Sequence, residues 1–366
     1  MRYRLVCLKC GSTLVPNTWV YRHSCGSPLR IELNLNSVEI DVSEIRRREW
    51  SMWRYRELIP ARKVVSLGEG FTPLLERDFF ALRLYLKLEY LNPTGSFKDR
   101  GTAVTISKVS ELKIRGVIED SSGNAGISVA YYSSAAGIKA KIYVPRDAPP
   151  GKKALILSSG ATLVECSSRT EAHKRAIKDS ESSEYAYVGH LWNPYFIEGT
   201  KTMAFEVAEQ LGWRAPSIAV VPVASGTLLL GLYKGFRELY ELKLIDKVPK
   251  LIAVQGAGCA PVYKAIHGEE SCGSSALADG LRVENPPRLE EIIRAIRETR
   301  GDCIVVDDYD IHVLSAFAFK KGFIVEPTSV AALAGVRKAV EEGLIDKGEE
   351  VLVPLTGSGL KYITAA

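Results

Sequence analysis

From Gly116 onward the sequence alternates short apolar runs with longer amphipathic stretches, and this alternation restricts the possible folds more than any other feature. Runs at 117–120, 139–144, 162–166, 185–188, 217–223, 251–255, 303–306 and 351–355 read as strands. Helical patterns fill the intervals. Strands separated by helix-length segments pair in parallel, because a parallel partner needs a long crossover. The expected class is therefore α/β with parallel sheets. In such sheets ligands bind beyond the carboxyl ends of strands, so chemistry is to be sought in the loops that follow them.

The tightest turn comes just before this alternation. Residues 84–91 read as a short apolar strand, and Asn92-Pro93-Thr94-Gly95-Ser96-Phe97-Lys98-Asp99-Arg100 then leads into a helix. Pro93 fixes its φ, Gly95 permits a conformation other residues resist, and Ser96 is placed to cap the helix. Lys98 is thus held at a helix start. An immobilised lysine can form an imine with a carbonyl compound when burial or neighbours depress its pKa, whereas a helix-start lysine can also be simply solvated.

Three later loops carry small and hydroxyl residues after a strand. Ser121-Ser122-Gly123-Asn124-Ala125-Gly126 joins a strand to a helix over 127–136, and Asn124 can serve as a turn residue or as a neutral donor. Val223-Ala224-Ser225-Gly226-Thr227-Leu228 opens another helix, whose amino-terminal N–H groups and dipole form an anion site that the Ser225 and Thr227 hydroxyls extend. Leu355-Thr356-Gly357-Ser358-Gly359 ends the last strand. Stretches 198–206 and 326–335 read as packing and capping elements.

At the amino terminus, Cys7-Leu8-Lys9-Cys10-Gly11 forms a knuckle of the kind that holds zinc, with Cys25 following. The second knuckle is incomplete: Arg22 stands at the place of its first cysteine, with His23 next to it. Cys7, Cys10 and Cys25 with His23 are the candidate metal set, against a ribbon that survives without metal. The remaining cysteines, Cys166, Cys259, Cys272 and Cys303, are expected to be reduced packing residues. Residues 41–65 are expected to form a helix and an arm.

A net charge of +5 from 48 basic and 43 acidic residues, with no basic run beyond Arg46-Arg47-Arg48, argues against nucleic acid as the main partner. The sequence contains no apolar stretch of membrane-spanning length and no signal-like apolar core near Met1, so a cytoplasmic protein without a membrane partner is expected.

Over residues 50–362 the chain resembles the threonine synthase family of fold-type II pyridoxal-phosphate-dependent enzymes. The likeness rests on the lysine turn, Ser66-Leu67-Gly68-Glu69-Gly70-Phe71-Thr72-Pro73, and the three loops, all in family order. It implies two open, mostly parallel sheets flanked by helices, with a small ribbon-like amino-terminal segment. The implied domains are 1–40 for the ribbon, 41–100 with 200–366 for a large cofactor-binding domain, and 101–199 for a small one.

By the same resemblance Lys98 is the Schiff-base lysine, Asn124 bonds the cofactor's 3'-oxygen, Ala224, Ser225, Gly226, Thr227 and Leu228 form the phosphate cup, and Thr356 faces the pyridine nitrogen. The implied reaction converts O-phosphohomoserine and water to threonine and phosphate, in a cytoplasmic homodimer.

Two positions depart from the family pattern. Ala125 stands where a threonine commonly follows the asparagine, and Phe196 where a basic residue is common. Phosphate would then need donors such as Ser66, Lys152, Asn193 or Lys98 itself. The alternative is β-elimination or β-replacement on a serine, threonine or O-phosphoserine type substrate. A cofactor-binding protein whose ribbon mediates assembly or nucleic-acid contact is a third reading, and an intact Lys98 speaks against it.

Overall fold

The computed structural model describes residues 2–362 and divides into two compact units. The first comprises the chain through Gly70 together with Asn92–Thr200, and the second Phe71–Leu91 together with the chain from Lys201 onward. Residues 41–70 and 92–100, expected in the large domain, cluster with the first unit. So does the amino-terminal ribbon. The lysine turn belongs there because it runs directly into the helix Lys98–Glu111, which packs on the helices Asn124–Ala135 and Pro194–Thr200.

The first unit is built on a four-stranded parallel sheet in the order Thr162–Cys166, Lys139–Pro145, Gly116–Glu119, Tyr185–Tyr187. Val117, Ile142 and Val144 contribute to its core, as do Val104, Ile106, Ile127 and Tyr132 from the two covering helices. A separate antiparallel sheet pairs Tyr3–Cys7 with Thr13–Leu14 and Leu29–Leu33. Trp19 seats this ribbon on the unit, stacking on Tyr195 with ring centroids 5.6 Å apart and donating its indole N–H to the Tyr187 carbonyl at 2.9 Å.

The helices Lys98–Glu111 and Pro194–Thr200 approach closely at two glycines. A Cβ on Gly199 would lie 2.0 Å from the Arg100 carbonyl oxygen, and one on Gly101 would lie 2.6 Å from the Phe196 ring. Glycine at both places lets the Phe196 ring lie against the lysine helix.

The second unit contains a six-stranded sheet in the order Asp302–Val306, Lys250–Gly256, Ile218–Pro222, Glu350–Pro354, Leu82–Lys87, Leu74–Phe79. All pairings are parallel except the last. Leu74–Phe79 was not expected as a strand: its exposed Glu76, Arg77 and Asp78 hide the apolar alternation, and such charges suit an edge. Residues 89–91, expected to continue a strand, form a 3₁₀ turn instead. Beneath the sheet, the helix Pro327–Glu341 contributes Val330, Ala331, Leu333 and Val336 to the core.

Two lysines of this unit are fully buried in closed ion pairs. Lys87 Nζ lies 2.8 Å from a Glu206 oxygen and also donates to the Thr72 carbonyl at 2.7 Å and to Gln210 Oε1 at 2.9 Å. Lys201 Nζ lies 2.8 Å from Glu238. Among the described residues no helix is long and apolar enough to cross a membrane.

Candidate active site

The turn before Lys98 closes through Gly95, whose φ is +77° and whose N–H donates to the Asn92 carbonyl at 2.7 Å. Ser96 does not cap the helix as its sequence position suggested. Phe97 is the N-cap, without a side-chain cap bond, and the buried Ser96 hydroxyl has no hydrogen-bond partner among the described residues.

The side-chain bond at this helix start comes from within the helix. Asp99 reaches back and accepts the Thr94 N–H at 2.7 Å and its hydroxyl at 2.5 Å. It also accepts the Ser128 hydroxyl at 2.6 Å, which ties the lysine turn to the helix that Asn124 begins. Burial raises the Asp99 carboxyl to about 6, against the pull of these three donors.

Lys98 is half-buried, its Nζ 4.6 Å from the centroid of Phe97 and 5.5 Å from that of Phe196. Phe196 itself is fully buried, so where the family commonly has a basic residue, an aromatic face meets the lysine. Ala125 is also buried.

The strands Gly116–Glu119 and Tyr185–Tyr187 are parallel neighbours, so the loops that follow them emerge at the same sheet edge. The first leads to Asn124, half-buried at the helix start, and the second carries His190. His190 Nδ1 lies 3.3 Å from Glu119 Oε1, and its ring lies 5.6 Å from that of Phe196. Burial, then the Lys98 charge, push the His190 pKa well down. Burial, then the neighbouring Asp120 charge, push Glu119 well up, with Lys98 opposing them.

Sequence reasoning missed this pair. A carboxylate ending an apolar strand, and a histidine just after the neighbouring strand, were its available signals.

Of the groups considered for holding a second phosphate, Asn193 is differently employed. Asn193 is fully buried, donating to Thr105 Oγ1 at 2.8 Å and accepting the Tyr195 N–H at 2.9 Å, so it caps a helix. Ser66 Oγ accepts the Gly68 N–H at 3.2 Å. Lys152 is buried.

In the second unit, Ile218–Pro222 and Glu350–Pro354 are parallel neighbours, and the loops after them share one sheet edge. Gly226 takes φ +79° as N-cap of the helix Thr227–Glu241, and a Cβ there would lie 2.2 Å from Ile292 Cδ1. The buried hydroxyls of Ser225 and Thr227 lie 3.3 Å apart at that helix start. Ala224 is half-buried, while the Leu228 side chain is buried in the core and offers only its backbone to a ligand. The Thr356 hydroxyl, also buried, is 3.0 Å from Ser329 Oγ, which accepts the Gly357 N–H at 2.8 Å. Residues 326–335 therefore hold a loop in place.

The ribbon gathers Cys7, Cys10, His23 and Cys25, with one ligand atom from each within 4.8 Å of the others. His23 Nδ1 is 3.1 Å from Cys25 Sγ and 3.7 Å from Cys10 Sγ, and the Cys7 and Cys25 sulfurs are 3.5 Å apart. A tetrahedral zinc with bonds of about 2.0–2.3 Å needs ligand atoms roughly 3.3–3.8 Å apart. Burial pushes the Cys7 thiol up, but the N–H groups of Cys10 and Lys9 and the neighbouring thiols outweigh it and bring it to about 6. The four residues fit a metal. Elsewhere Cys166 and Cys303 are buried as expected, whereas Cys272 is exposed and is not a packing residue.

Residues 65–357 match the family described as pyridoxal-phosphate dependent enzyme. A threonine synthase of Methanocaldococcus jannaschii is 34% identical over 98% of this chain and 93% of its own length. One from Methanosarcina acetivorans is 34% identical over 98% and 92%. Among solved structures, serine racemase from Dictyostelium discoideum superposes with a TM-score of 0.67 at 25% identity, over 87% of this chain and 98% of that one.

Proposed function

We propose, since this chain belongs to the pyridoxal-phosphate-dependent enzymes and within them to the threonine synthase family, that it converts O-phosphohomoserine and water to threonine and inorganic phosphate. The observation that carries the reading is the lysine turn, a half-buried amine at a helix start within a chain alike to threonine synthases along nearly its whole length.

The residues fit the cofactor. The helix start at Gly226, with a glycine in the left-handed region and two buried hydroxyls, is a phosphate cradle of the usual chemistry. In this reading Ser225, Gly226, Thr227 and the backbone of Ala224 and Leu228 hold the phosphate, Asn124 and Thr356 orient the ring, and Lys98 carries the cofactor covalently. Pyridoxal phosphate supplies an electron sink that stabilises negative charge developing on the substrate.

A hydroxyl at Thr356 does not hold the ring nitrogen protonated as a carboxylate would, which suits elimination along the side chain rather than transamination. Lys98, once released, would take protons from Cα and then Cβ as phosphate leaves Cγ, and give protons back to Cγ and Cα as water adds at Cβ, while Asp99 fixes the turn that carries the amine.

The second reading, β-elimination or β-replacement on a serine, threonine or O-phosphoserine type substrate, is favoured by Phe196 and Ala125, which offer no charge to a phosphate. Incubation with O-phosphohomoserine tests between them. Threonine and inorganic phosphate in equal amounts are expected; turnover of serine or O-phosphoserine in their place selects the alternative.

A cytoplasmic homodimer is part of this proposal, checked by light scattering of the purified protein. Zinc held by Cys7, Cys10, His23 and Cys25 is another, with about one zinc per chain expected from elemental analysis of protein prepared without chelator.

A further inference from the structure

The first unit contains a cleft whose charge the protein itself does not balance. Its volume is about 830 Å³, the size of a small-ligand site, and its lining runs from Arg2 to Lys63. No residue of the lysine turn takes part. Six of the lining side chains are basic and three are acidic.

Part of this set is fixed and neutralised. Arg48 grips Glu57 with both terminal nitrogens, at 2.7 and 2.8 Å, and Lys63 holds Glu49 at 2.7 Å. Arg54, only 2% exposed, donates to the Ile45 carbonyl at 2.7 Å, while its own carbonyl accepts from Arg48 at 2.6 Å. Trp53, buried, also lines the cleft and donates its indole N–H to Glu69 Oε1 at 2.6 Å. The walls are therefore ordered before any ligand arrives, which lowers the entropy lost on binding.

The remaining arginines have no carboxylate of their own. Arg2 donates to the carbonyl oxygens of Arg56 and Glu57, and neither it nor Arg62 forms an ion pair among the described residues. Arg56 approaches only the Glu57 that Arg48 already grips, at 3.4 Å. Of the acids Glu39 alone is left over, so the surplus is positive. Like charges gathered about one hollow repel one another and focus a positive potential into it. Each guanidinium presents paired N–H groups matched to an oxyanion.

We propose that this cleft binds a small molecule carrying two or more phosphate or carboxylate groups. A single ion underfills the volume and leaves part of the surplus charge unanswered. A compact hollow also suits such a ligand better than a nucleic-acid strand, which needs a groove that tracks its backbone. The site is separate from the anion cradle at Gly226, which belongs to the second unit, and it does not depend on which reaction the protein performs.

The test uses the full chain saturated with pyridoxal 5'-phosphate, titrated by calorimetry with tripolyphosphate and, separately, with citrate at constant ionic strength. Saturable binding of at least one probe is expected, and the preferred one tells phosphate from carboxylate. Arg56 and Arg62 are both exposed, and the double variant Arg56→Ala with Arg62→Ala should bind roughly tenfold or more weakly. Arg46→Ala with Arg47→Ala removes the same charge from exposed positions that do not line the cleft. Its affinity should change by less than about threefold. No saturable binding of either probe overturns the proposal, as does an equal loss in the two double variants. A duplex oligonucleotide that binds where neither probe does overturns it in favour of a nucleic-acid surface.

Discussion

Two ways of burying charge can be compared across the two units. In the second, Lys87 with Glu206 and Lys201 with Glu238 are closed pairs at 2.8 Å, and Lys87 is further satisfied by a carbonyl and an amide oxygen. In the first, the buried Asp99 and Glu119 and the half-buried His190 have their protonation displaced, and the Lys98 amine lies over two aromatic rings. Charges that neutralise one another at contact distance stay as they are. Groups whose burial is only partly compensated have their protonation shifted by it. The contrast separates lysines that hold the fold together from the lysine available for chemistry.

The sharpest break of that contrast is to remove one lysine of each kind. Lys98→Ala should lower turnover by at least ~10²–10⁴-fold and abolish borohydride-trapped cofactor. Its thermal midpoint should stay close to that of the unaltered protein. A folded, trapped adduct in this variant would show that the chemistry lies elsewhere.

Opening a closed pair acts on stability instead. Glu206→Leu leaves the Lys87 ammonium buried without its carboxylate, and urea unfolding should register a loss of about 3–5 kcal/mol. A loss under about 1 kcal/mol would mean that the remaining oxygens suffice and that the pair is not structural in the sense argued.

Asp99 offers a pH test. Its carboxyl lies at about 6 in the folded protein against 3.8 for an ordinary aspartate, so its contribution to stability is complete below 3.8 and is lost as pH rises through about 6. Relative to Asp99→Asn, the unaltered protein should become less stable by up to about 3 kcal/mol across that window. Equal pH dependence in the two proteins would remove Asp99 from the displaced group.

The smallest effect is expected at the anion cradle. Gly226→Ala requires a side chain at φ +79° and presses its Cβ towards Ile292. That strain is worth about 1–2 kcal/mol, and cofactor affinity should fall by roughly tenfold. Unchanged affinity in a cofactor titration would speak against 224–228 as the phosphate cup.

The strands from 116 onward were legible because their apolar runs are buried on both faces of parallel sheets, where the pattern is strongest. Leu74–Phe79 was not, since an edge strand shows its charges to solvent and loses the pattern. Lys98, Ser225, Gly226 and Thr227 stood out through local turn chemistry. Ser96 misled for the same reason: its position suits a cap, but Asp99 reaches back to Thr94 and supplies the helix-start bond from three residues further on. The Glu119–His190 pairing could not be read locally, because its members are 71 residues apart and meet through adjacent strands.

The seam between Gly101 and Gly199 has a consequence for how this chain can drift over generations. Because a methyl group at 101 would meet the Phe196 ring and one at 199 would meet the Arg100 carbonyl, none of these positions is open to independent exchange. Lineages that carry a side chain at 101 should be ones in which the aromatic ring at 196 has already been replaced. Covariation of the two in an alignment of close relatives would mark where one inherited specificity gave way to another.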